Sequence, residues 1–151
     1  MQFGIESADA MQALGARVGA YCSGGEVIEL VGDIGAGKTT FVKGLARALG
    51  VDDDVQSPTF TISRVYGTST DVTLVHYDFY RLTDAGVMRA EVHEMVHDSH
   101  TVTVIEWAEA VAEVLPDDIL TIIIRTKVDE GREVTLRAGG PISKRLMEQL
   151  K

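Results

Sequence analysis

The sequence predicts an α/β protein in three layers, with a mostly parallel central sheet and antiparallel strands at the edge. Three observations carry this expectation. Short apolar segments rich in β-branched residues alternate along the chain with amphipathic helical stretches, the pattern of a sheet covered by helices. Two of those segments end in an acidic residue, Asp78 and Glu106, and the ends of apolar strands are where open α/β sheets place functional groups. Between an earlier segment and the helix after it lies Gly32-Asp33-Ile34-Gly35-Ala36-Gly37-Lys38-Thr39. This fits G-x-x-x-x-G-K-[ST], the phosphate-binding P-loop, and narrows the expected fold to the P-loop nucleotide-triphosphatase type.

The elements follow in order. Ser7 is placed to cap a helix over 8–21, with Met11, Leu14 and Val18 on one face. Ser23-Gly24-Gly25 ends it, and 26–31 reads as a short strand. After the glycine-rich loop, 38–49 reads as a helix with Phe41, Val42, Leu45, Ala48 and Leu49 on one stripe, closed by Gly50. Residues 51–54 make an acidic connection, and Ser57-Pro58-Thr59 suits a loop entering a strand near 60–66. A strand begins at Val72 and is carried by His76 and Tyr77 to its end at Arg81, and another covers 101–107. Residues 108–115 form a short helix closed by Pro116. Segments 120–126 and 133–137 form a hairpin around Asp129-Glu130-Gly131, and a helix over 141–150 starts with Pro141 in its first turn. A chain of 151 residues without repeats or linker-like tracts suits one domain over 1–151.

The loop residues carry a definite chemistry. Glycines let the backbone curl so that successive N–H groups point at phosphate oxygens. Lys38 adds a mobile charge for the β- and γ-phosphates, Thr39 offers a hydroxyl to Mg²⁺, and Thr40 supplies a second hydroxyl. The expected nucleotide-binding set is therefore Asp33, Ile34, Gly35, Ala36, Gly37, Lys38, Thr39 and Thr40, at the N-terminus of a helix that favours anions. Lys38 is expected at an exposed loop-to-helix junction. Thr59 has two readings: a switch-type threonine that reaches Mg²⁺ or the γ-phosphate, or turn chemistry before a strand. Asp78 and Glu106 both qualify as the acid that holds Mg²⁺, and periodicity does not rank them. Arg81 could pair with a phosphate or a partner carboxylate. Trp107 reads as core or as a rim aromatic.

Composition sets further bounds. A formal net charge of −9 disfavours unaided binding to a nucleic-acid backbone and is compatible with docking on a basic protein surface. Cys22 is the sole cysteine, so no intrachain disulfide forms, and it reads as a small buried residue. The start of the chain lacks a basic region followed by an apolar run, and no apolar stretch approaches the ~18 residues of a membrane span. The expected compartment is the cytoplasm, with no membrane association.

Two short motifs point elsewhere. His93-Glu94-Met95-Val96-His97 matches the zinc-protease pattern H-E-x-x-H, yet no third ligand follows at a usual distance, and no zinc is expected. Thr126-Lys127-Val128-Asp129 resembles the guanine-reading motif of GTPases, but no D-x-x-G accompanies it. ATP is therefore the expected nucleotide. A small-molecule kinase would need a lid, and no arginine-rich lid segment is present; a nonenzymatic nucleotide-dependent interaction module is the other alternative.

Four pieces taken together carry a resemblance: the loop from Gly32 to Thr40, Ser57-Pro58-Thr59-Phe60-Thr61, His76-x-Asp78-x-Tyr80-Arg81, and Ile105-Glu106-Trp107-x-Glu109. In this order they resemble the bacterial TsaE (YjeE) family, small P-loop ATPases required for threonylcarbamoyladenosine modification of tRNA beside the anticodon. The resemblance spans roughly residues 5–125. It implies that the P-loop holds ATP with Thr39 on Mg²⁺, that Glu106 is the Mg²⁺-associated acid, that Asp78 takes part in hydrolysis, and that Thr59 lies in a switch-like segment. It also implies an ATPase that is weak alone and acts with the TsaD–TsaB pair, in which TsaD transfers the threonylcarbamoyl group and tRNA is reached only through the complex. The chain departs from the family pattern over 83–100, including Ala85-Gly86-Val87-Met88, and in the C-terminal hairpin.

Overall fold

The β-branched runs of the sequence form the centre of a seven-stranded sheet. The computed structural model describes residues 1–84 and 86–151, so the departure expected at Ala85 lies outside the described residues. In chain order the elements are β1 (Gln2–Ile5), α1 (Ala8–Ala20), β2 (Val27–Val31), α2 (Lys38–Ala48), β3 (Ser63–Gly67), β4 (Thr73–Asp78), α3 (Met88–Val96), β5 (Thr101–Glu106), a 3₁₀ helix (Ala108–Val114), β6 (Leu120–Thr126), β7 (Arg132–Ala138) and α4 (Pro141–Glu148). The strand order is β1-β7-β6-β2-β5-β4-β3. Strands β6, β2, β5 and β4 run parallel; β3 pairs antiparallel to β4 at one edge, and at the other β7 pairs antiparallel to β6 and β1 antiparallel to β7. This is the expected arrangement: parallel strands need helical crossovers, so they occupy the covered centre, while hairpins finish the edges.

Alternation along the strands separates two cores. Ile28, Leu30, Leu74, Val102 and Val104 face Leu14, Val18, Phe41 and Leu45 of α1 and α2, together with Leu146 of α4. Val75, Tyr77 and Ile105 face the opposite side and meet Val92 and Val96 of α3 and Val111 of the 3₁₀ helix. Every residue of β5 is buried, as a strand covered on both faces requires. Complete burial of Phe41 or Leu45 contributes roughly 1.5–3 kcal/mol each. Helices α1 and α2 approach so closely that a Cβ on Gly44 would overlap the backbone of Gln12, and one on Gly15 the carbonyl of Phe41. That contact fixes α2, and with it the loop at its N-terminus, against the rest of the fold.

The local differences from expectation have identifiable causes. β1 was not foreseen; it is four residues long and is fixed by pairing Phe3 with Val134 of β7. β4 stops at Asp78 rather than Arg81, because the Asp78 Oδ1 accepts the backbone N–H of Tyr80 at 2.9 Å and turns the chain. The strand expected near 60–66 begins at Ser63: the N–H groups of Thr61 and Ile62 both reach the Pro58 carbonyl, and Ile62 takes a left-handed φ of 69°. The helix after Trp107 is 3₁₀ in form. Ser7 caps α1 as expected, its Oγ accepting the Ala10 N–H at 3.1 Å. Cys22 is half-buried, its Sγ donating to the Val18 carbonyl, and burial together with the nearby Glu26 carboxylate pushes its thiol above the usual range. Among the described residues no helix is long and apolar enough to cross a membrane.

Candidate active site

The register of the parallel strands brings the functional ends together. Leu30 near the end of β2 pairs with Glu106 at the end of β5, and Glu106 pairs with Asp78 at the end of β4. The glycine-rich loop leaves β2 and enters α2 through Gly37, whose φ of 113° is open to glycine and costly for other residues. The helix therefore starts with its free N–H groups beside the two acids.

Lys38 departs from its expected exposure. It is 7% exposed, and its Nζ donates to the carbonyls of Gly32 at 2.6 Å and Asp33 at 3.0 Å. Its ammonium also lies 5.4 Å from the centroid of the Trp107 ring. Trp107 can cover it because its backbone is left-handed, with φ 56° and ψ 54°, which turns the chain sharply after Glu106. Trp107 is half-buried, a rim residue, and packs at 5.0 Å against the ring of Tyr80.

The two acids are held differently. Asp78 is 4% exposed; its Oδ1 accepts the Tyr80 N–H at 2.9 Å and its Oδ2 accepts the Thr59 hydroxyl at 2.8 Å. Thr59 in turn lies 2.7 Å from the Ser57 hydroxyl, so the segment that carries Thr59 is tied to the end of β4. Glu106 is 3% exposed, and its Oε1 lies 2.9 Å from Nε2 of His76, a residue with no exposed surface. No protein donor among the described residues reaches the other oxygen, Oε2, of Glu106.

These groups line one cleft of about 410 Å³. Ile34, Gly35, Gly37, Lys38, Thr39, Thr40, Thr59, Asp78 and Glu106 are all in its lining, so most of the site residues expected from the sequence converge. Asp33 and Ala36 lie outside that lining. Asp33 serves the loop through its carbonyl, which accepts from Lys38 and from the Ala36 N–H. Ala36 lines a second, smaller cleft of about 180 Å³ that shares Gly35, Gly37 and Thr40 with the first and adds Ser7, Met11, Glu130 and Arg132. Arg132 went unremarked in the sequence. Its Nε donates to the Ala36 carbonyl at 3.1 Å across 96 residues of chain, and its only local signal was an arginine just after the hairpin turn. Arg81 lies in the lining of the larger cleft, its guanidinium 4.4 Å from the centroid of Phe60.

The other two motifs do not join this cleft. His93 and His97 lie with ring centroids 4.6 Å apart, and Nδ1 of His97 is engaged by the His93 carbonyl at 2.8 Å. Among the described residues no third side chain joins them in a metal-binding group. Thr126 ends β6, and Lys127 bonds across the hairpin turn to Gly131.

A central strand that delivers a glycine-rich loop bearing lysine and threonine, faced by acids on two adjoining strand ends, defines a small α/β protein of the P-loop class. Comparison with known proteins resolves the class to a family. The family model described as "Threonylcarbamoyl adenosine biosynthesis protein TsaE" matches residues 5–134. The chain is 39% identical over 139 residues to the tRNA threonylcarbamoyladenosine biosynthesis protein TsaE of Bacillus subtilis, covering 92% of this chain and 86% of that one. It is 42% identical over 123 residues to the TsaE protein of Treponema pallidum, covering 81% and 89% of the two chains. The crystal structure of YdiB from Bacillus subtilis superposes with a TM-score of 0.83 at 33% identity, over 99% of this chain and 93% of that one. The chain belongs to the TsaE family of tRNA threonylcarbamoyladenosine biosynthesis.

Proposed function

We propose that this chain, as one P-loop domain in the cytoplasm, binds ATP with Mg²⁺ and hydrolyses it as a subunit acting with the TsaD–TsaB complex. The observation that carries this reading is the convergence of Lys38, Thr39, Asp78 and Glu106 on one cleft at the N-terminus of α2. The N–H groups of the loop and the helix dipole attract phosphate, and Lys38 adds its charge there.

The donor set suits Mg²⁺. Thr39 and Glu106 offer hard oxygen ligands in the same cleft, and Oε2 of Glu106 has no donor among the described residues. Mg²⁺ keeps several waters and is commonly held by one or two protein oxygens plus substrate phosphates, so no larger cage is needed. When bound, it supplies charge neutralisation on the phosphate oxygens. Asp78 retains a second lone pair on each carboxylate oxygen and can accept a hydrogen bond from the attacking water. With the acids marking the hydrolytic side of the loop, we assign the adenine to the opposite flank, the cleft bounded by Ser7, Met11 and Arg132.

Partner docking is assigned to the rim of the larger cleft. Phe60 is 82% exposed with Arg81 stacked on it, and Tyr80 and Trp107 continue the rim. An arginine-aromatic rim suits a protein interface, and the −9 charge suits a basic partner. The test is phosphate release by the purified chain alone and with TsaD–TsaB at two salt concentrations. Slow hydrolysis alone, accelerated by the partners and less so at high salt, is expected. Turnover by the chain that the partners leave unchanged would contradict the subunit role, and no turnover under either condition would contradict ATP hydrolysis.

A further inference from the structure

His76 is completely buried, yet it takes no part in the chemistry derived above. One ring nitrogen, Nε2, lies 2.9 Å from Oε1 of Glu106, in a buried contact between β4 and β5. The other, Nδ1, is sealed from solvent and has no hydrogen-bond partner among the described residues. An ionised carboxylate only accepts, so Nε2 is the donor in this contact, and Nδ1 is left without a bond. A core residue chosen for packing alone would not need a polar ring there, because an apolar side chain would leave no orphaned nitrogen.

We propose that His76 is a positioning residue for Glu106: its Nε2–H holds Oε1, fixes the carboxylate in one rotamer and leaves Oε2 to the cleft. The arrangement has the form of an outer-shell hydrogen bond that orients a metal-binding carboxylate. The cost is one buried, unbonded ring nitrogen, and the gain is a carboxylate that need not be ordered each time the site fills. The inference rests on the reading of Glu106 as the Mg²⁺-associated acid.

The test uses the full chain, a fluorescent ADP and Mg²⁺ titration, with melting temperature as a check on folding. His76→Leu removes the donor and keeps an apolar side chain. His76→Gln returns an amide N–H at about the reach of Nε2, whereas His76→Asn is too short and replaces the leucine variant should that one fail to fold. The donor-less variant is expected to raise the Mg²⁺ concentration for half-maximal tightening of nucleotide by at least about tenfold, the usual loss for an outer-shell partner. Its affinity without Mg²⁺ should stay near wild type, and His76→Gln should recover most of the Mg²⁺ response. A folded donor-less variant with the wild-type Mg²⁺ midpoint would overturn the proposal. So would equal losses with and without Mg²⁺, or a glutamine variant as impaired as the donor-less one. A wild-type chain whose nucleotide affinity ignores Mg²⁺ would overturn the reading of Glu106 as well.

Discussion

Lys38→Ala should lower ATP turnover by at least about a hundredfold, the usual loss when one preorganised charge donor is removed from a transition state. On the proposed reading the lysine supplies a positive charge where the β- and γ-phosphates gather negative charge, while the remaining N–H groups of the loop carry only partial charges. Ground-state nucleotide binding should weaken by about 1.5–3 kcal/mol, the range for a charge-assisted hydrogen bond. A second effect follows from the burial of Lys38. Its bonds to the carbonyls of Gly32 and Asp33 brace the loop from within, so the alanine variant loses that brace too. Its melting temperature should fall modestly while its circular dichroism stays native. Phosphate release and thermal melting, measured on the same preparation, separate the two effects. Turnover at the wild-type rate in folded Lys38→Ala protein would remove the loop from the mechanism.

Glu106→Gln should divide nucleotide binding according to whether Mg²⁺ is present. Glutamine keeps the size of the side chain and an oxygen to accept the His76 N–H, so the substitution removes the charge with little change of shape. With Mg²⁺, affinity should fall by about tenfold or more, equivalent to roughly 1.4 kcal/mol. Without Mg²⁺, the wild-type carboxylate faces the negative phosphates unscreened, and its neutralisation should leave affinity unchanged or improve it. A competition titration of fluorescent ADP, with and without chelator, measures both. Equal losses in the two conditions would place Glu106 in a general packing role.

How much of this was legible in the sequence depended on whether the cause was local. The glycine-rich loop from Gly32 to Thr39 and the helix it opens were legible as a motif, because residues within a few positions dictate its geometry, but the burial of Lys38 was not. The two acids were legible as strand-end residues; periodicity did not rank them, and only the family resemblance assigned Glu106 to Mg²⁺. What distinguishes them is their hydrogen bonding. Both oxygens of Asp78 are engaged, one by Tyr80 two residues on and one by Thr59, whereas His76 takes one oxygen of Glu106 and no donor among the described residues takes the other. The contacts of Thr59 and His76 join residues far apart in the chain and leave no periodic trace.

The same reason accounts for the rest. Gln2–Ile5 is four residues long and carries a glycine, too short for its alternation to stand out, and it is held as a strand by pairing with β7. Lys38 follows a loop and so looked exposed, but the left-handed turn at Trp107 folds the indole over it. The end of β4 was misplaced because a side chain, Asp78, supplies the hydrogen bond that stops it, and apolar pattern carries no information about that. Arg132 reaches the loop only after the hairpin has returned beside it. Elements set by apolar pattern were readable, and features set by individual side-chain hydrogen bonds or by pairing with a distant strand were not.

The central claim is that the cleft at the N-terminus of α2 is where this chain holds and hydrolyses ATP. A crystal structure of the chain with Mg²⁺ and a non-hydrolysable ATP analogue tests it most directly. The account predicts phosphate oxygens on the N–H groups of Gly35 to Thr39, Mg²⁺ within reach of Thr39 and Glu106, and the adenine on the Ser7–Arg132 flank of the loop. Density for the triphosphate anywhere other than on this loop would contradict it.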